Sequence, residues 1–116
     1  MRQQTLKWLC VMACAGPGSC SPQLISLGPP IAGPYLSTDA LITADGARLF
    51  LRTWTPEENP RAILIALHGF NDYSNAFADA GVYWSNRDIM VYAYDQRGFG
   101  SNEQAGQWPG LDTLVN

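Results

Sequence analysis

Beyond its first twenty residues the chain has no cysteine. Cys10, Cys14 and Cys20 are the only three, so no disulfide framework staples the remainder of the chain. Basic residues are scarce, seven Lys+Arg against ten Asp+Glu, and they form no patch or stripe, which excludes a nucleic-acid partner. No apolar run is long enough to span a membrane, the amino-terminal one (Trp8 to Ala15) included. Charged residues make up 15% and apolar residues 47%, an ordinary globular balance that argues against both disorder and a coiled coil. At 116 residues there is room for one domain and not two.

The chain opens with a cationic start (Arg2, Lys7), a short apolar run and then small residues, the make-up of a bacterial-type secretory signal over residues 1–20. Three cleavage readings compete. Gly18-Ser19-Cys20 resembles the small-residue-then-Cys box of lipoproteins, with Pro17 where an aliphatic residue is usual. Val11-Met12-Ala13-Cys14 keeps the aliphatic residue behind a very short apolar segment, and Ala13-Cys14-Ala15 suits ordinary secretion. The preferred reading lipidates Cys20 and places the protein in the bacterial cell envelope, as a membrane-anchored lipoprotein or a secreted, periplasmic one. The plainer reading makes the cysteines mere apolar signal residues. Residues 21–38, rich in Pro and Gly, are expected to form an extended tether, leaving 39–116 as the folded domain.

Within that domain, Ala40 to Trp54 predicts a hairpin turning at Asp45-Gly46, a pair suited to a type I′ turn. Leu49 and Leu51 should face the core, on a strand near a sheet edge. The run Ala62 to Leu67 is six aliphatic residues without alternation, the pattern of a strand buried on both faces of a parallel sheet. A helix is expected from Asn75 to about Arg87, capped by Ser74 or Asn75, with Phe77, Ala80, Gly81 and Trp84 packing on the sheet. Ile89 to Tyr94 reads as a second buried strand, and Asp112 as the cap of a further helix. Strand, helix, strand in this order is a βαβ unit. The fold class is α/β, an antiparallel opening hairpin followed by βαβ in a mostly parallel sheet.

Two motifs then fall at the carboxyl edge of one sheet, where ligands bind in open α/β folds. His68-Gly69-Phe70 ends the first strand and Asp95-Gln96-Arg97-Gly98-Phe99-Gly100 ends the second. Taken singly, each is as readily a turn or packing feature. Together they resemble the α/β-hydrolase superfamily, in particular its monoacylglycerol lipase, lysophospholipase and serine aminopeptidase-like branch. The likeness runs from Leu41 to Gly100, and one departure is visible: Asn102 stands where the branch usually has Ser.

The resemblance implies a serine hydrolase of acyl esters or lysolipids, with no cofactor and no metal. By match to His-Gly-x, the amide of Phe70 is the expected oxyanion-hole donor, with His68 and Gly69 shaping its loop. Asp95, Arg97, Gly98 and Gly100 are expected to form a structural corner beside it, Arg97 tying to Asp95 or to nearby carbonyls. In the branch a Gly-x-Ser-x-Gly nucleophile elbow comes one helix and one strand later, and acid and base later still. These 116 residues hold no such elbow and no second histidine. The chain therefore reads as the amino-terminal portion of a hydrolase, without the catalytic triad, and Ala62 to Leu67 as an exposed edge. Two other readings stand beside this one. A hydrolase with an aspartate nucleophile, of dehalogenase or epoxide hydrolase type, usually has Pro soon after the glycine, where this chain has Phe70-Asn71-Asp72. A non-catalytic envelope lipoprotein would bind a partner through Tyr73, Trp84 or Trp108.

Overall fold

A computed structural model describes residues 24–115. The signal-peptide reading and Cys20 lie outside the described residues. One five-stranded sheet organises the rest, in the order β1-β2-β3-β5-β4. Its strands are β1 (Tyr35–Leu36), β2 (Ala40–Ile42), β3 (Arg48–Trp54), β4 (Ala62–Ala66) and β5 (Ile89–Tyr94). The opening part is antiparallel, and the parallel pairing enters at β4 and β5, with Ala62 opposite Ile89 and Ala66 opposite Ala93. The α/β class and the hairpin-then-βαβ order are as the sequence predicts.

The hairpin turn differs in type. Thr43 N–H donates to Ala47 O at 3.0 Å and Gly46 N–H to Thr43 O at 2.9 Å, closing a three-residue loop in which only Gly46 (φ 81) is left-handed. A type I turn followed by a left-handed residue is the usual three-residue hairpin. The extra residue lets the Asp45 carboxylate turn inward, where it is fully engaged. Leu49 and Leu51 are buried as expected, but β3 sits between β2 and β5 rather than near an edge.

The connection from β4 to β5 also departs in detail. Its helical part starts as a 3-10 turn, Ser74–Phe77, and continues as α1, Ala78–Ser85. Neither Ser74 nor Asn75 caps it: Tyr73 holds the cap position without a side-chain bond, because Ser74 is drawn inward. α1 stops at Ser85 rather than near Arg87, and Asp88, at φ 61, then turns the chain toward β5. Gly81 is where α1 meets the sheet, for a Cβ there would overlap the Trp54 ring.

The described part of the Pro- and Gly-rich stretch, residues 24–38, is attached to the sheet. Gly28 N–H donates to Asp45 Oδ2 at 3.1 Å, Ile31 N–H to Ala44 O at 2.8 Å, and Tyr35–Leu36 pair with β2. Ile25 is buried, and its carbonyl accepts from Thr113 Oγ1 at 3.2 Å. Thr113 belongs to α2 (Leu111–Val115), in which Asp112 lies in the first turn instead of capping it. No helix among the described residues is long and apolar enough to cross a membrane.

Burial of β4 on both faces is not seen. Ile63 and Ile65 are 67% and 66% exposed, because β4 pairs with β5 alone and α1 packs on β5 and β3 instead. Among the described residues β4 is thus an exposed edge, as the sequence reading expects.

Candidate active site

Both motifs meet where β4 and β5 end. His68 is buried, held twice by the neighbouring loop and once by its own turn. Gln96 N–H donates to His68 Nε2 at 2.9 Å, the Gln96 side-chain amide donates to His68 O at 2.6 Å, and His68 Nδ1 lies 2.9 Å from Gly69 O. An N–H aimed at Nε2 requires a lone pair there, so the proton of the neutral ring sits on Nδ1 and is donated to Gly69 O.

The next turn runs from Gly69 to Asp72, closed by Asp72 N–H to Gly69 O at 3.3 Å. Its left-handed residue is Asn71 (φ 62). Gly69 takes no such angle, and a Cβ on it would meet nothing within 4 Å, so the left-handed position of the loop is two residues past the glycine. Phe70 stands at the tip of this turn, its side chain exposed, and its backbone N–H has no acceptor among the described residues.

Asp95 is the fully buried pin of the corner. Its carboxylate accepts from Ser74 N–H at 2.7 Å and from Ser101 N–H at 2.8 Å, joining the start of the helical segment to the loop after β5. Ser74 Oγ in turn accepts from Arg52 Nε at 3.2 Å. Gly100 (φ 61) packs so closely on this carboxylate that any side chain would overlap it, and Gly98 (φ 79) lies equally close to Gln107 O.

Arg97 does not tie to Asp95. Its guanidinium reaches back across β3 to the hairpin loop, pairing with the Asp45 carboxylate and donating to Thr43 Oγ1 at 3.0 Å. Asp95 already spends its oxygens on backbone amides, whereas the Asp45 carboxylate, bonded otherwise only by the neutral Thr43 hydroxyl and Gly28 N–H, has no other cation partner among the described residues. The Arg97 hydrogen bond holds the Asp45 carboxyl well below the usual carboxylate range, against the upward push of burial and with help from Thr43 and Gly28. Burial pushes the Tyr94 hydroxyl the other way, above 10.

Asn102, the departure from the branch pattern, does more than a serine hydroxyl would. Its Oδ1 accepts from Phe50 N–H at 2.8 Å, and its Nδ2 donates to Asp95 O at 2.7 Å and Gln96 O at 2.9 Å. Gln96, Asp45 and Thr43 join the site without a sequence signal of their own. Gln96 fills a position that any residue can occupy, and the turn signal of Asp45-Gly46 hides the carboxylate's second use.

A cleft of about 290 Å³ opens beside these loops, lined by Phe70, Tyr73, Phe99 and Trp108 among others. Its wall is a chain of edge-to-face rings: His68 on Phe99 (5.6 Å between centroids), Phe99 on Phe70 (5.7 Å) and Phe70 on Trp108 (5.6 Å). The cleft thus has an aromatic wall, with the Phe70 turn and its polar neighbours Asn71 and Asp72 on its rim. No cluster of His, Cys, Asp or Glu that could hold a metal occurs among the described residues.

Comparison with known proteins gives concordant results. The family described as "Serine aminopeptidase, S33" matches residues 58–116. Human monoglyceride lipase is 33% identical over 70 residues, which cover 60% of this chain and 23% of that protein. Monoacylglycerol lipase of Mycolicibacterium smegmatis is 29% identical over 55 residues, 47% of this chain and 20% of that protein. The chain thus spans under a quarter of the length of these relatives. Among solved structures, a thermostable carboxyl esterase from Bacillus coagulans, in complex with glycerol, superposes on 71% of the chain and 27% of its own, with a TM-score of 0.53 at 20% identity.

Proposed function

We propose, on the premise that this chain belongs to the serine aminopeptidase S33 family of α/β-hydrolases, that it supplies the oxyanion side of an active site hydrolysing acyl esters of the monoacylglycerol or lysolipid kind. The observation that carries this reading is the Phe70 amide. It lies at the carboxyl end of β4, at the rim of an aromatic-walled cleft, with its proton uncommitted among the described residues. Hydrolysis of an ester passes through a tetrahedral intermediate whose oxygen gains negative charge, and a preorganised N–H in a water-poor site stabilises that charge. The second donor in this fold is the amide after the nucleophile. Nucleophile, acid and base are taken to come from sequence outside these 116 residues. The aromatic rim suits an acyl chain or glyceryl group, and the monoglyceride lipase relatives point to the same substrate class.

The test uses the complete reading frame that carries this chain, assayed on p-nitrophenyl butyrate. Phe70→Pro removes the N–H and should lower kcat by about 10²–10³-fold, whereas Phe70→Ala keeps the N–H and should retain most of kcat while altering KM. Circular dichroism confirms that both variants fold. Equal kcat for the two would remove Phe70 from the oxyanion hole.

A further inference from the structure

We propose that Gln96 locks His68 in its Nδ1–H tautomer and that His68, so locked, orients the peptide carrying the Phe70 N–H. The inference rests on the oxyanion reading above and adds two positioning residues to it. Neither touches substrate.

One peptide plane links the imidazole to the donor. The Gly69 carbonyl and the Phe70 N–H belong to the same planar trans unit, so they point in opposite directions. His68 Nδ1 lies 2.9 Å from that carbonyl oxygen, on the buried side. Fixing the carbonyl against the ring therefore aims the N–H away from the ring, out of the buried layer. The ring can do this only as a donor at Nδ1. In the other tautomer Nδ1 carries a lone pair that repels the carbonyl, and only the 3.3 Å bond from Asp72 N–H is left to hold the peptide.

Gln96 makes the choice. Its backbone N–H occupies Nε2 at 2.9 Å, which forbids a proton there, and its side-chain amide holds His68 O at 2.6 Å. Gln96 is itself fixed, because its carbonyl accepts from Asn102 Nδ2 at 2.9 Å. The lock thus runs from the Asn102 corner through Gln96 and His68 to the Gly69-Phe70 peptide. Phe99, edge-on to the imidazole, closes the remaining side.

Two measurements test it. His68 is the chain's single histidine, so long-range 1H–15N correlation on the 116-residue chain reads its tautomer without ambiguity. A protonated Nδ1 and an unprotonated Nε2 are expected, and the Nε2–H tautomer overturns the proposal. In the complete reading frame, His68→Asn places an amide N–H near the Nδ1 position, whereas His68→Gln reaches only the Nε2 position. The kcat of His68→Asn should stay within a few-fold of the original and that of His68→Gln should fall by about tenfold or more, with KM unchanged, since misplaced groups cost up to about 10²-fold. Equal kcat in the two, where Phe70→Pro loses activity that Phe70→Ala keeps, overturns the lock and leaves the oxyanion reading standing. If Phe70→Pro is as active as Phe70→Ala, both fall together.

Discussion

Asp45 occupies what the sequence offers as a plain hairpin turn, and its side chain turns out to hold the far loop. With Arg97 it forms a buried pair whose side chains are only 8% and 6% exposed. Breaking such a pair leaves a charge without a partner, so Asp45→Asn should destabilise the fold by about 3–5 kcal/mol in urea denaturation. The pH dependence has a definite sign. The folded carboxyl titrates below its ordinary value of 3.8, so folding favours the ionised form. That stabilisation is complete above about pH 5 and disappears as pH falls through 3.8 toward the lower folded value. Stability measured from about pH 5 down to about pH 2 should therefore drop more steeply in the original chain than in Asp45→Asn; parallel curves would show that the pair is not the source. At this scale the sequence is legible only in part. His68, Asp95 and the glycines at 98 and 100 can be placed from the motifs, because their roles lie within a few residues of their own strand ends. The Arg97 partner cannot, since it depends on the hairpin loop and the loop after β5 converging across β3.

Among the elements, β4 is the easiest to find in the sequence and the hardest to describe from it. An unbroken aliphatic run names a strand, but how many of its faces are covered depends on what lies on each side. Here α1 packs on β5 and β3, so only Ala66 is buried in β4, and Ile63, Ile65 and Leu67 are all more than half exposed. An apolar strand with a free edge invites pairing with another chain. Ile65 is already largely in water, so Ile65→Lys should change stability by no more than about 0.5 kcal/mol. A charge at that edge should nonetheless oppose strand-to-strand association. Light scattering during size-exclusion chromatography is expected to show more monomer for Ile65→Lys than for the original 116-residue chain. Unchanged association would mean that another surface drives it. The helix boundaries, by contrast, escape the sequence pattern at both ends for local reasons, Ser74 being claimed by Asp95 and Asp88 turning left-handed.

For the molecule as a whole, the same contacts that shape the proposed oxyanion side also occupy the lone histidine and the amide and hydroxyl of Ser74. A serine nucleophile needs a base within hydrogen-bond reach. The single histidine has its only lone pair occupied by the Gln96 N–H. Ser74, one of the two serines whose amides bond Asp95, is itself buried, its hydroxyl accepting from Arg52 Nε. One oxyanion donor contributes about 2.7–4 kcal/mol to a transition state, and only where attack takes place. The 116-residue chain is therefore expected to hydrolyse p-nitrophenyl butyrate no faster than buffer and to take up no fluorophosphonate label. Stoichiometric labelling of any serine would contradict this, and peptide mapping of the labelled residue would then identify a nucleophile that neither the motif pattern nor the hydrogen-bond network of His68 provides for.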